Sequence, residues 1–145
     1  MKRKITEKLI AWKNNANHKP LVLQGARQVG KSYTLEEFGK EYYNNYVRVS
    51  LDLVPDVRNF LKENINPLEI IAYLESLYNT RIVPYETLII LDEIQDCKRA
   101  LLALKYFQEE YPQYDIVAAG SLLRVAVNRG KDANGDDFED TSIVR

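Results

Sequence analysis

An eight-residue segment near the amino terminus has the spacing of a phosphate-binding loop. The fixed positions of the pattern G-x-x-x-x-G-K-[ST] are filled by Gly25, Gly30, Lys31 and Ser32. The variable positions hold Ala26, Arg27, Gln28 and Val29. Glycines let such a loop approach phosphate closely, and its backbone N–H groups and the following helix dipole attract the anion. Lys31 would contact the β and γ phosphates, and Ser32 would supply a hydroxyl oxygen to Mg²⁺. The side chains of Arg27 and Gln28 are expected to face solvent.

Two adjacent carboxylates form the second candidate component. Asp92 and Glu93 directly follow the apolar run Leu88–Leu91. Alone, such acids are the solvated end of a strand, but the upstream loop favours a catalytic interpretation. Asp92 would then hold the magnesium ion, and Glu93 would orient or activate the water that attacks the γ-phosphate.

The third component is Ser121, which follows the apolar run Ile116–Ala119 and Gly120. A hydroxyl at this point can hydrogen-bond the γ-phosphate or the attacking water. It can equally serve as the N-cap of a helix over Leu122–Val127. The two roles are compatible, and both remain open.

Alternating strands and helices must position these residues. Apolar alternation and runs predict strands at Leu21–Leu23, at the alternating residues Val47, Val49 and Leu51, at Thr87–Leu91 and at Ile116–Ala119. Helical spacing predicts helices at Ile5–Trp12, from Ser32 to Tyr42, at Pro67–Asn79 with an inward stripe including Leu77, and at Arg99–Glu110. This order is typical of an α/β domain, in which helices cover both faces of a parallel sheet.

The carboxyl-terminal segment differs in composition. Between Gly130 and Asp140, five of eleven residues are acidic and two are glycine. Such a segment has few apolar side chains to bury. We therefore expect a folded domain over residues 1–128 and an acidic, disordered tail over residues 129–145.

Composition excludes several function classes. The 20 basic and 21 acidic residues give a net charge of −1, which does not support binding to nucleic acid or to an anionic membrane. The longest apolar runs, of five residues, are too short to span a bilayer. With one cysteine, Cys97, and one histidine, His18, no zinc site of these residues can form. Cytoplasm is the expected compartment.

Aromatic residues and the histidine receive structural interpretations. Trp12 and the tyrosines at 42, 43 and 46 are expected to be packing and interface aromatics rather than a stacking platform for nucleic acid, since no basic stripe accompanies them. His18 is expected to be a lone surface histidine, with a position near a bound adenine as the alternative. Cys97 is not expected to act as a nucleophile.

Three blocks in this order resemble a prokaryotic family of AAA-type P-loop ATPases. They are Pro20–Ser32, Leu91–Gln95 and Ala118–Leu122. The resemblance covers about Lys2–Asn128 and implies a three-layer core with strand order 5-1-4-3-2. It identifies Gly25–Ser32 as Walker A, Asp92 and Glu93 as Walker B, and Ser121 as sensor 1. Because the resemblance fades after Asn128, only the amino-terminal ATPase core is expected, with the fifth strand missing.

The resulting functional expectation is an Mg-ATP-binding AAA-type domain that hydrolyses ATP slowly in isolation. The alternative is a non-hydrolysing nucleotide-binding or interaction module. A small-molecule kinase is disfavoured, since it has less use for a water-activating Glu93. The expected partners are ATP and either a second copy of the chain or another protein.

Overall fold

The computed structural model describes residues 2–15, 18–25, 29–121 and 139–141 of the chain. The helices are α1 (Lys2–Asn14), α2 (Val29–Tyr42), α3 (Pro55–Glu63), α4 (Pro67–Tyr78) and α5 (Lys98–Glu110). The strands are β1 (Leu21–Gly25), β2 (Asn45–Ser50), β3 (Thr87–Asp92), β4 (Asp115–Ser121) and β5 (Glu139–Thr141). A single 3₁₀ turn, Ile94–Asp96, separates β3 from α5.

All five strands form one parallel sheet in the order β2-β3-β4-β1-β5. Read from the opposite side, this is the order 5-1-4-3-2 that the resemblance implies. Strand β4 lies between β1 and β3, so the two strands that precede the candidate loop and the candidate acid pair are not neighbours. The α/β fold class is confirmed.

The fifth strand corrects the sequence prediction. Glu139–Thr141 was expected to lie in a disordered tail, yet these residues pair in parallel with Leu21–Leu23. Strand pairing uses backbone N–H and C=O groups and needs no apolar side chain at a sheet edge, so the acidic composition was misleading. The rest of the predicted tail lies outside the described residues, as does the predicted helix Leu122–Val127.

Two apolar clusters, one on each face of the sheet, make the three layers. Along β1, Leu21 and Leu23 pack with α1 and α2, whereas Val22 between them belongs to the cluster with α3, α4 and α5. Alternate strand residues point to opposite faces, so a strand covered on both sides is apolar throughout. Trp12 and Tyr43 are buried in the first cluster, which confirms them as packing residues.

The helix predictions hold with two corrections. Helix α4 begins as expected, since the Asn66 side chain accepts hydrogen bonds from the N–H groups of Leu68 and Glu69. Its Leu77, however, is 39% exposed and does not join the buried stripe. Helix α3 was not predicted, although its first-turn proline Pro55 and the i, i+4 spacing of its buried residues Val57 and Leu61 are helical signals. Among the described residues, no helix has the length and apolar character required to span a membrane.

Candidate functional site

The candidate residues converge at the carboxyl edge of the sheet. Gly25 at the end of β1 is in register with Ser121 at the end of β4, and Leu91 of β3 is in register with Ala118 of β4. Parallel strands end on the same side, so Asp92 belongs to this edge as well. Ligands of open α/β sheets bind there.

Helix α2 begins at this same edge, directly after the candidate loop. The backbone of Lys31 and Ser32 lies in its first turn. A strand that ends at Gly25 and a helix that begins at Val29 are the elements that the phosphate-loop motif requires on either side of its loop. The predicted loop residues Ala26, Arg27 and Gln28 lie outside the described residues, as do the side chains of Val29, Lys31, Ser32 and Ser121.

Asp92 is the buried acid of the edge, with 2% of its surface exposed. Its Oδ2 accepts two hydrogen bonds from Arg48, at 2.7 Å from Nη2 and 3.2 Å from Nε. Its Oδ1 accepts a hydrogen bond from the N–H of Glu93 at 3.1 Å. A buried carboxylate is stable only when paired and hydrogen-bonded, and Arg48 provides that pairing.

Arg48 lies on β2 and joins three elements. Besides its bonds to Asp92 on β3, its Nε lies 3.3 Å from Oε2 of Glu36 on α2. Burial lowers the pKa of Arg48, but the hydrogen bond and charge of Asp92, together with Glu36 and Asp52, raise that pKa above its ordinary value. The guanidinium of Arg48 is therefore permanently protonated and lies among several carboxylates.

Asp52, in the turn after β2, is the third acid near this arginine. Within the described part of the chain, its Oδ1 is buried and accepts no hydrogen bond. A buried carboxylate oxygen without a donor is unfavourable. Asp52 thus offers an open acceptor close to the charge of Arg48.

Glu93 has an unusual backbone conformation. Its φ of 58° and ψ of 47° are left-handed, and it begins the 3₁₀ turn Ile94–Asp96. This region is unfavourable for residues with a side chain, and such strain is concentrated at functional sites. Oε1 of Glu93 accepts a hydrogen bond from Nε2 of Gln95 at 2.7 Å. The local backbone and one amide therefore fix the direction of this carboxylate.

The donor chemistry at this edge fits magnesium. Asp92, at the end of β3, would supply carboxylate oxygens. The backbone of Ser32 lies in the first turn of α2, where the motif predicts that its hydroxyl oxygen is a second ligand. In the described ranges, no three His, Cys, Asp or Glu side chains converge as a metal cage. Mg²⁺ in phosphate-transfer sites is usually held by one or two protein oxygens together with water and substrate phosphates, and a carboxylate and a hydroxyl are suitable oxygen ligands.

Arg48, Glu36 and Gln95 were not predicted as site residues. Arg48 alternates with the buried Val47 and Val49, and the sequence pattern treats it as an ordinary outward polar residue of a strand. The available signal was a lone arginine on a strand that could neighbour the acid-bearing strand. Strand neighbours, however, are set by topology, which one strand's pattern does not contain.

His18 corrects a prediction at the opposite, amino edge of the sheet. Its side chain is only 9% exposed, and its Nε2 lies 2.7 Å from Oδ1 of Asp115, the first residue of β4. Tyr43 donates a hydrogen bond to the other oxygen of Asp115 at 2.5 Å. The interpretation as a lone surface histidine is wrong, because the residue satisfies a buried carboxylate.

Comparison with known proteins agrees with this geometry. The family model described as "AAA domain" matches residues 17–142, a range that starts just before β1 and ends just after β5. No curated protein matches the chain in sequence.

Proposed function

The chain belongs to the AAA domain family, and from this premise we propose that it binds Mg-ATP at the carboxyl edge of its sheet and hydrolyses it slowly. One observation carries the proposal. Strand β4 separates β1 from β3, so the start of α2, the Asp92–Glu93 pair and Ser121 meet at one edge.

Phosphate binding is assigned to Gly25–Ser32. The N–H groups at the start of α2 and the helix dipole favour an anion at this point. Lys31 adds a positive charge for the β and γ phosphates. ATP is preferred over GTP, since the chain lacks an Asn-Lys-x-Asp segment for guanine.

Magnesium would be held by Ser32 and Asp92. When bound, the cation neutralises charge on the phosphate oxygens. Asp92 is assigned this role because it is a carboxylate at the carboxyl end of β3, the edge of the sheet at which α2 begins.

Glu93 is proposed as the residue that orients or deprotonates the attacking water. The neutral amide of Gln95 donates a hydrogen bond to its Oε1 and helps to orient the carboxylate, as a general base requires. Ser121 is proposed to hydrogen-bond the γ-phosphate or the same water. In this conformation Arg48 is hydrogen-bonded to Asp92, the proposed magnesium ligand. We therefore expect turnover well below the ~10 s⁻¹ typical of enzymes.

The test combines ligand-induced stabilisation with phosphate release. With a dissociation constant of ~10 μM, 1 mM Mg-ATP should stabilise the chain by about 2.7 kcal/mol, and Lys31→Ala should remove most of this effect. Glu93→Gln should keep ATP binding and lower turnover by about 100-fold. If the parent chain is not stabilised, the binding proposal fails.

The alternative is a nucleotide-binding module that does not hydrolyse ATP, and the Arg48–Asp92 pair favours it, because this pair engages an acid of the proposed machinery. The same measurements separate the two functions. If the parent and Glu93→Gln chains bind ATP equally and release phosphate at one background rate, the module is the correct description.

A further inference from the structure

We propose that Arg48 is a built-in competitor of the divalent cation at Asp92, and that it moves to Glu36 and Asp52 when the metal–nucleotide complex binds. Arg48 has this role only if Asp92 holds the cation, as the proposed function requires. The closest approach of metal to Asp92 would thus depend on the position of one arginine.

The first support is that Arg48 and a metal ion would compete for the carboxylate of Asp92. Nε and Nη2 of Arg48 both donate to Oδ2 of Asp92, and Oδ1 accepts the N–H of Glu93. Each oxygen therefore has a donor already. A cation that comes to this carboxylate meets a guanidinium at 2.7 Å from the same oxygen.

The second support is electrostatic. Asp92 is 2% exposed, so water screens charges around it weakly. A divalent cation and a guanidinium on one buried carboxylate repel each other in such surroundings. Removal of the arginine from this oxygen lowers that repulsion and restores a full negative charge for the metal.

The third support is that acceptors for the displaced guanidinium are already in place. Nε of Arg48 is almost equidistant from Asp92 and Glu36, at 3.2 Å and 3.3 Å. Asp52 carries a buried Oδ1 that, among the described residues, accepts no hydrogen bond. A small movement of one side chain would exchange one carboxylate partner for others, without exposing an unpaired charge.

The movement would also link the elements of the site. Glu36 belongs to α2, whose first turn carries Lys31 and Ser32, whereas Arg48 and Asp92 belong to neighbouring strands. If the guanidinium of Arg48 leaves Asp92 on β3 and bonds Glu36 on α2, metal binding at Asp92 is coupled to the helix that starts at the phosphate loop.

The experiment measures the affinity for metal rather than activity. Nucleotide binding is first measured in EDTA with a fluorescent ATP analogue, and Mg²⁺ is then titrated at saturating nucleotide. Arg48→Met removes the charge and keeps side-chain bulk, and it should lower the half-saturating Mg²⁺ concentration by about tenfold. Glu36→Gln removes an acceptor and should raise that concentration by about threefold.

Controls separate this role from general damage. Arg99→Met is the matched variant, since Arg99 donates to the backbone carbonyl of Leu61. It should leave the Mg²⁺ midpoint unchanged. In the Asp92→Asn background, the Arg48→Met change should no longer shift the midpoint. Glu36 is 29% exposed, so its variant tests the proposal even if Arg48→Met does not fold.

A nucleotide-free arm keeps the proposal distinct from the proposed function. Mn²⁺ is titrated into the full chain alone, and free ion is counted by electron paramagnetic resonance. Tighter Mn²⁺ binding by Arg48→Met, lost on Asp92→Asn, supports the competition even if no chain binds ATP. A midpoint that is unchanged or raised in Arg48→Met, or lowered in Glu36→Gln, overturns it.

Discussion

Asp92 and Glu93 are adjacent in sequence but occupy different backbone conformations. Asp92 ends β3 in extended conformation and is buried against an arginine, whereas Glu93 is left-handed and bonded to an amide. Because the backbone conformation changes between the two residues, their carboxylates face different partners. The two acids are therefore held by different groups, which is consistent with the different roles proposed for them.

Relief of the strain at Glu93 gives the first prediction. Glu93→Gly should raise the free energy of unfolding by about 0.5–1 kcal/mol, because glycine adopts positive φ without steric cost. It should also abolish phosphate release above background. Tyr85 is the matched control, with a φ of 67° in an exposed turn. Tyr85→Gly should stabilise similarly and leave phosphate release unchanged; a loss of release there would contradict the assignment of Glu93.

Tyr43 gives a pH-dependent prediction. Burial, the hydrogen bond to Asp115 and the charge of Asp115 raise the pKa of the Tyr43 hydroxyl well above its ordinary value. Above about pH 10 the unfolded chain loses this proton and the folded chain keeps it, so stability falls as pH rises, by at most about 1.4 kcal/mol per pH unit. Below that pH the contribution is fully present.

Tyr43→Phe should test this sign in urea unfolding between pH 8 and 11. At pH 8 the variant should be less stable by about 1–2 kcal/mol, because Oδ2 of the buried Asp115 loses its donor. Above pH 10 the difference should shrink, since only the parent chain carries the titrating hydroxyl. A difference that grows with pH would show that another group controls the alkaline transition.

At this scale the sequence predicted what lies in one continuous motif. The loop from Gly25 to Ser32 and the acid pair are contiguous, and their chemistry depends on order along the chain. Arg48 and its partners come from three elements, and a pair such as Arg48–Asp92 depends on which strands are neighbours. His18 was misjudged for the same reason, because its partner Asp115 is distant in sequence.

At the scale of elements, the position of α2 on the sheet depends on one glycine. A Cβ built on Gly39 would lie 2.8 Å from Cβ of Tyr46 on β2. Such a distance is too short for two carbons in contact, so the helix lies closer to the strand than any other residue would permit. Because α2 starts at the phosphate loop, this close contact also sets where its first turn lies.

Gly39→Ala is therefore expected to destabilise the chain, although alanine favours a helix by about 0.5–1 kcal/mol. Overpacking against Tyr46 should cost about 1–3 kcal/mol and weaken ATP binding by shifting α2. Lys40→Ala is the control, because Lys40 is exposed on the same helix and should change stability by less than about 0.5 kcal/mol. A Gly39→Ala chain more stable than the parent would show that the helix can move away without consequence.

Most elements could be predicted from local sequence signals, but one helix was missed despite its signals and one strand has no signal of its own. Helix α4 has an Asn cap, a first-turn proline and a buried stripe, so its start could be read from residues 66 to 69. Helix α3 has no side-chain cap at Val54, but it has a first-turn proline, an acid in its first turn and the buried residues Val57 and Leu61 at helical spacing, so its signal was present in the sequence and was missed. Strand β5 has no apolar pattern of its own and exists because β1 offers an open edge.

At the scale of the whole molecule, one polar network lies at each edge of the sheet, and the length of the strands separates the two. The amino edge holds Asp115 with His18 and Tyr43, and the carboxyl edge holds Asp92 with Arg48 and Glu36. Strands β1, β3 and β4 between them contribute buried apolar residues to both clusters. The network at the amino edge joins the segment before β1 to β4, because His18 bonds Asp115.

The fifth strand belongs to this framework and gives the last prediction. Glu139, Asp140 and Thr141 pair with Leu21, Val22 and Leu23, so β5 covers the open edge of the strand that leads to the phosphate loop. A chain ending at residue 138 should be less stable than one ending at residue 141 by about 1–2 kcal/mol, from lost backbone hydrogen bonds. It should also bind ATP more weakly. Urea midpoints and ATP-induced stabilisation of the two chains check both effects, and equal midpoints would mean that β5 pairs without contributing to the fold.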